Sequence, residues 1–422
     1  MADTIADTSR EEGAPAYASE AQDAVIDVAD LYVEFPTVLG VVRALNGVTY
    51  RVPRGKVLGV VGESGSGKSV TARAIMQILE KPGHITNGEI WYRPGERKDA
   101  VERSANRPKH SPPPFTSAEA DIATLDPEGD EIRGIRGNEI AMIFQEPMTS
   151  LNPLYTIGNQ IEEGILLHQT ADKNVAHQRC VEMLRQVGMP NPERISQSYP
   201  HELSGGMRQR AMIAMALSCR PTMLIADEPT TALDVTTEAQ ILELMRELQR
   251  ETGMSILFIT HSMGVVAQIC DDVVVMYLGR IVERASVEEI FYNPKHPYTI
   301  SLLRSIPRFG MSKDQPLEVI HGSVPDPYSR VPGCPFHPRC PAAMPGICDK
   351  IVPVEAPIGA PGHGVRCHLY EGCTPTKTVA EPSAPARTRK ERRAKAAADA
   401  KDARDAAARD NRATMIDDSK GA

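Results

Sequence analysis

Leu203-Ser204-Gly205-Gly206-Met207-Arg208-Gln209-Arg210 stands shortly before an apolar run that ends in two carboxylates, Met223-Leu224-Ile225-Ala226-Asp227-Glu228. Far upstream lies Gly62-Glu63-Ser64-Gly65-Ser66-Gly67-Lys68-Ser69, which fits the pattern G-x-x-x-x-G-K-S/T. It is entered from the apolar run Val57-Leu58-Gly59-Val60-Val61 and leaves into the helix-favouring run Ala72 to Leu79. That strand, loop and helix context separates a phosphate cradle from a chance match. Glycines let successive N–H groups face an anion while the following helix directs its positive end at it. Lys68 is then placed for the β- and γ-phosphates and the Ser69 hydroxyl for Mg²⁺.

The acidic pair closes a strand, where neighbouring residues point to opposite faces, so Asp227 and Glu228 can take different tasks. Ser204, Gly205 and Gly206 open a run to Leu217 in which Ile213, Ala216 and Leu217 follow helical spacing. Such a helix N-terminus offers unpaired N–H donors and partial positive charge to a phosphate.

Together and in this order, the three stretches resemble the ATPase subunit of an ABC transporter. The resemblance implies an α/β P-loop NTPase domain with an antiparallel β subdomain and a helical subdomain. It also implies that Asp227 holds Mg²⁺ with Ser69 and Gln145, and that Glu228 polarises the attacking water. Gln145, in Met142-Ile143-Phe144-Gln145-Glu146-Pro147, matches the residue that touches Mg²⁺ and senses the membrane partner. His261 matches the switch histidine on the γ-phosphate, although Ser262 stands where Asp usually follows. Thr231-Ala232-Leu233-Asp234 resembles the loop that crosses to the partner ATPase, with Asp234 contributing to the nucleotide site. Phe35 sits where the family places an aromatic that stacks on adenine, with Tyr32 as the competing candidate.

At 422 residues with a single phosphate loop, the chain reads as one nucleotide-binding half with additions. A net charge of −8 and few basic clusters exclude nucleic acid as the main partner. No apolar run approaches the ~18 residues of a membrane span, and Met1 to Asp23 does not read as a secretory signal. The expected location is the cytoplasmic face of the cell membrane, peripherally held by partners.

Residues 1–24 read as disordered and 25–290 as the ATPase domain, whose residues 25–52 alternate like a small antiparallel sheet. A Pro-, Arg- and Ser-rich insertion at 93–117 interrupts that domain. Ala171 to Val187 and Thr237 to Thr252 have helical apolar spacing. Proline content then rises, marking 291–375 as a separate Cys-rich C-terminal extension. Residues 376–422, rich in Ala, Lys, Arg and Asp, read as a disordered tail.

Gln145 to Pro153, Pro200-His201-Glu202-Leu203, Asp227 to Asp234 and His296-Pro297-Tyr298-Thr299 sharpen the resemblance to the dipeptide/oligopeptide/nickel branch of the importers. The glycine-rich strings favour the D-type ATPase of a peptide permease. The resemblance implies a paralogous F-type ATPase, two transmembrane permeases and an extracytoplasmic solute-binding protein as partners. Peptides are the implied cargo, and nickel or another small solute is the alternative. A soluble ABC ATPase outside transport is the competing function, and the chain lacks the second cassette or long coiled coil usual there.

Of eight cysteines, Cys180, Cys219 and Cys270 lie singly in apolar segments and read as buried core thiols. Cys334, Cys340, Cys348 and Cys367 crowd into the extension with Cys373 behind, which in a cytosolic protein points to metal before disulfide. Their spacing resembles the motif that can hold a 4Fe–4S cluster in peptide-importer ATPases. Zn²⁺ is the alternative, given His337, His363 and His368 nearby.

Overall fold

The computed structural model describes residues 23–95, 108, 111–113, 115–145, 150–231, 233–306 and 320–375. Of the ends expected to be disordered, 1–24 and 376–422, all but Asp23 and Ala24 lie outside the described residues, as does most of the insertion at 93–117; Ala24 instead opens a strand.

Strands β1 (Ala24–Thr37) and β2 (Gly40–Pro53) form a long antiparallel pair, running from Ala24 opposite Pro53 to Thr37 opposite Gly40. Val28 is buried before a register shift and Leu31 and Val33 alternate after it, while Val48, Tyr50 and Val52 alternate on the other strand. After β3 (Val57–Val61) and helix α1 (Lys68–Ile75), β4 (His84–Tyr92) and the short β5 (Ala120–Asp121) complete a four-stranded sheet in the order β2-β1-β4-β5. The helix expected from Ala72 begins at Lys68, because Gly67, in the left-handed region at φ 99°, turns the chain directly into it.

The main sheet takes β3 as its centre. It adds β6 (Ile140–Ile143), β7 (Met223–Asp227), β8 (Ser255–Thr260), β9 (Asp272–Tyr277), β10 (Arg280–Ser286), β11 (Ala356–Pro357) and β12 (Gly364–Val365), in the order β11-β12-β10-β9-β3-β8-β7-β6. From β9 to β6 every pairing is parallel. Strands β3, β7 and β8 are buried at every residue, as expected of parallel strands covered on both faces. Alternate residues divide between two cores. Leu58, Val60, Ile225 and Leu257 pack with the antiparallel sheet and α1, while Val57, Val61, Ala226 and Phe258 pack with a helical layer.

That layer contains α2 (Ile157–His168), α3 (Lys173–Gln186), α4 (Gly205–Leu217) and α5 (Val235–Thr252). Each starts at a side-chain cap, in turn Thr156, Asp172, Ser204 and Asp234, which accepts a hydrogen bond from a first-turn N–H. Cys180, Cys219 and Cys270 are buried, as their apolar surroundings suggest.

The region from residue 291 is less separate than its proline content implies. Helix α6 (Pro297–Arg304) follows β10, and β12 returns to pair antiparallel with it, Glu283 opposite Val365 and Arg284 opposite Gly364. A Cβ on Gly364 would lie 2.5 Å from Glu355 Oε1, so a larger residue there would have to displace the side chains of the ion pair between Arg284 and Glu355. Glu283, fully buried, accepts hydrogen bonds from the N–H groups of Lys295 and His296 and sits 2.8 Å from His363 Nε2.

Candidate nucleotide site

The phosphate loop leaves the carboxyl end of β3, the position where open parallel sheets bind ligands. A Cβ at Gly62 would stand 2.2 Å from the Met276 carbonyl, and one at Gly67 2.7 Å from the Ala44 carbonyl. Glycine therefore lets the loop press between β9 and β2. Lys68 is 5% exposed, and its Nζ donates to the carbonyls of Gly62 at 2.7 Å and Glu63 at 3.0 Å. Burial pushes the Lys68 ammonium below its ordinary pKa, while Glu228, Asp227 and Glu63 pull it back up. A phosphate entering the loop supplies the charge this lysine is short of.

Beside it, the Ser69 hydroxyl donates to Asp227 Oδ1 at 2.9 Å. Burial pushes the Asp227 carboxyl up, and the Ser69 hydrogen bond opposes that shift. Asp227 ends β7, whereas Glu228 lies past the strand in the left-handed region at φ 47°. The two carboxylates are thus separated by a backbone turn and not by strand alternation, which corrects the sequence expectation. Strain of this kind in a non-glycine residue costs of order ~1–3 kcal/mol and clusters at functional sites. Two predicted site residues, Gln145 and His261, converge on Glu228, joined by Thr231, which the sequence places only in the loop toward the partner ATPase. Gln145 Nε2 donates at 3.3 Å, the Thr231 hydroxyl donates at 3.0 Å, and His261 Nδ1 lies 3.2 Å away.

A cavity of about 400 Å³ opens over the loop, lined by Ser64, Gly65, Gly67, Lys68, Ser69, Gln145 and Glu228. Gly62, Glu63 and Ser66 support the loop from behind and do not line it. Phe35, the expected adenine platform, is also outside the lining, as is Tyr32. Phe35 rests on Gly83, where a Cβ would come within 2.3 Å of its ring. Among the described residues the aromatic in the lining is Tyr328, and residues 326–331 and Pro335 form one wall. Sequence reading missed this wall because 257 residues separate Ser69 from Asp326, and no local pattern links the two.

Residues 45–231 match the family model described as "ABC transporter", and residues 282–348 match "Oligopeptide/dipeptide transporter, C-terminal region". A putative peptide import ATP-binding protein of Brucella melitensis is 48% identical over 353 residues, covering 82% of this chain and 97% of that protein. The dipeptide transport ATP-binding protein DppD of Bacillus subtilis is 44% identical over 348 residues, with 82% and 95% covered. The chain belongs to the ABC transporter family, as an ATP-binding subunit. The solved structures agree at the level of fold. The ATP-binding cassette MJ0796, in a dimeric post-hydrolysis state with ADP and phosphate, aligns with a TM-score of 0.50 at 23% identity over 62% of this chain and 98% of that one.

In this ABC subunit, Ser204, Gly205, Gly206 and Asp234 do not line the cavity. Ser204 caps α4 by accepting from the Met207 N–H, and Asp234 caps α5 by accepting from the Thr237 N–H at 3.0 Å. No helix among the described residues is long and apolar enough to cross a membrane.

Cys334, Cys348 and Cys367 are buried and Cys340 half-buried, and they lie within electrostatic reach of one another. Burial first, then neighbouring thiols, push Cys334 up to about 11 and Cys367 up to about 12. The Met344 N–H donates to Cys348 Sγ at 3.4 Å. Even so, no group of three or more His, Cys, Asp or Glu among the described residues is arranged to hold a metal ion. The nearby histidines are engaged elsewhere: His363 with Glu283, His368 with the Ile351 carbonyl and Thr374, His337 with the Cys334 carbonyl.

Proposed function

We propose that this chain drives the import of di- and oligopeptides. The carrying observation is the match of residues 282–348 to the C-terminal region of oligopeptide/dipeptide transporters, alongside relatives at 48% and 44% identity named for peptide import and for dipeptide transport. Lys68 and the loop N–H groups bind the β- and γ-phosphates, with Ser69, Asp227 and Gln145 as oxygen donors for Mg²⁺, which neutralises phosphate charge when bound. Glu228 accepts the proton of the attacking water, held by Gln145, Thr231 and His261. Ser204, Gly205 and Gly206, outside this chain's own cavity, serve the γ-phosphate in the cavity of a second, paralogous F-type subunit, with Asp234 at the same junction. Closure of the two subunits on ATP is a two-state switch that moves two permeases, which receive cargo from an extracytoplasmic binding protein.

The test is the complex purified from its native membrane. ATPase activity should rise sharply over the isolated chain and rise again with peptide-loaded binding protein. Stimulation by nickel or another small solute but not by peptide overturns the cargo assignment.

Cys334, Cys340, Cys348 and Cys367 are the proposed ligands of a 4Fe–4S cluster. Four thiols suit it chemically, and the region they gather in must tighten to complete the set, so loading and final packing go together. Anaerobically purified protein should carry about four irons per chain. Stoichiometric zinc in place of iron, or a folded metal-free protein, overturns it.

A further inference from the structure

Glu63, the second residue of the phosphate loop, is held from three directions. Its carbonyl accepts from Lys68 Nζ at 3.0 Å, and its N–H donates to the Tyr298 hydroxyl at 2.8 Å. Its carboxylate receives both arms of the Arg339 guanidinium, at 2.7 Å and 3.1 Å. Arg339 comes from the C-terminal region, 276 residues away in sequence and immediately before Cys340.

The side chain of Arg339 is 5% exposed and its remaining donors are occupied. Nε donates to the His321 carbonyl at 3.1 Å and Nη1 also to the Tyr277 hydroxyl at 3.3 Å, with the guanidinium 5.8 Å from the Tyr277 ring centroid. The hydrogen bonds to Glu63 lead the causes that hold this guanidinium above its ordinary pKa. Phe336, fully buried, wedges against Tyr277 at 5.2 Å and Tyr298 at 5.3 Å, so the segment carrying Arg339 is anchored independently of the ion pair. A rigid anchor and a two-pronged, charge-assisted contact are what fixing a loop requires.

We propose that Arg339 is a positioning residue for ATP binding, holding Glu63 so that the phosphate loop and Lys68 are set before nucleotide arrives. Arg339 touches no nucleotide; it acts through Glu63. Releasing the loop adds an ordering cost that ATP must meet on binding. That cost falls equally on the bound ground state and the transition state, so it raises KM and leaves kcat nearly unchanged. The proposal is independent of which solute the transporter carries.

The test uses the full-length chain in the assembled transporter. Arg339→Lys removes the fork, and Glu63→Gln removes the charge without changing shape. Each should raise the ATP KM and the Kd of a fluorescent ADP analogue about tenfold, the scale of a lost charged hydrogen bond. For Arg339→Lys, which lies outside the loop, turnover at saturating ATP should stay within about threefold. The double variant should be no worse than the poorer single variant, since both remove one contact. Additive losses, or an unchanged Kd with a lowered melting temperature, overturn the proposal and leave a purely structural tie. Should either variant fail to fold, hydrogen exchange on the unmodified protein decides. Nucleotide should slow amide exchange around Arg339, and no change there refutes the coupling.

Discussion

Glycine and proline interrupt the chain at 62–67 and again at 333–341, and the two interruptions are fixed by different means. The first hangs between a fully buried strand and a helix that its own last glycine initiates, so its covalent neighbours set its shape. The second has no flanking strand or long helix, only the single turn His337–Arg339, and depends on what its side chains meet across the fold. Phe336 enters an aromatic box with Tyr277, Tyr298 and His296, and Arg339 grips the first interruption. A loop set by its neighbours carries a motif; a loop set by distant partners carries none, however firmly it is held.

The largest expected effect breaks the first region and spares the second. Glu228→Gln should lower ATP turnover in the complex by about 10²–10⁴-fold while nucleotide still binds. Near-normal turnover would show that the strained carboxylate is not the base. Phe336→Ala does the converse, at a cost of ~3–5 kcal/mol for a buried ring. Denaturant unfolding should show that loss, with the fully buried phosphate-loop strand β3 unfolding no earlier than in the parent protein.

Acid should distinguish the regions next. His296 is buried with its Nδ1 accepting the Tyr298 N–H at 3.1 Å, and burial pushes its imidazole down to about 4 from 6.5 while Glu283 opposes the shift. The unfolded chain takes up the proton first, so the stability present above pH ~6.5 is lost as pH falls toward 4, by ~3 kcal/mol in full. Burial tends to raise the neighbouring Glu283, but its hydrogen bonds outweigh that and lower its pKa, so its contribution is lost in the same direction. His296→Asn keeps a cap acceptor and should flatten the loss of melting temperature between pH 7 and 5. A slope unchanged by the substitution would place the acid sensitivity elsewhere.

The smallest effect compares two helix caps. Asp172→Ala and Ser204→Ala each remove a side-chain acceptor from a helix start and should cost ~1 kcal/mol of stability. Only Ser204→Ala should also reduce ATP turnover, and only in the assembled complex. Equal activity in the two variants would leave Ser204 with its capping role alone.

Much of the site was legible because its parts are local. Gly62 to Ser69 between apolar and helical runs, Asp227 and Glu228 at a strand end, and Ser204 before α4 are each readable within a dozen residues. Phe35 shows the limit, since a position in a strand pattern does not reveal that the ring turns onto Gly83 and away from the cavity. The main sheet was legible as alternating strands and helices, yet β12 was not. Two residues carry no period, and it is the pairing with Glu283 and Arg284 that makes them a strand.

By itself, the sequence determined the phosphate loop, the acidic pair and the α/β alternation, because short-range steric and hydrogen-bonding rules act between neighbours in the chain. Tertiary structure alone decided that Tyr328 and its segment wall the nucleotide cavity, that Glu228 leaves its strand at φ 47°, and that Arg339 holds Glu63. Those features depend on partners brought together by burial of two cores, and such partners leave no mark in the local order of residues.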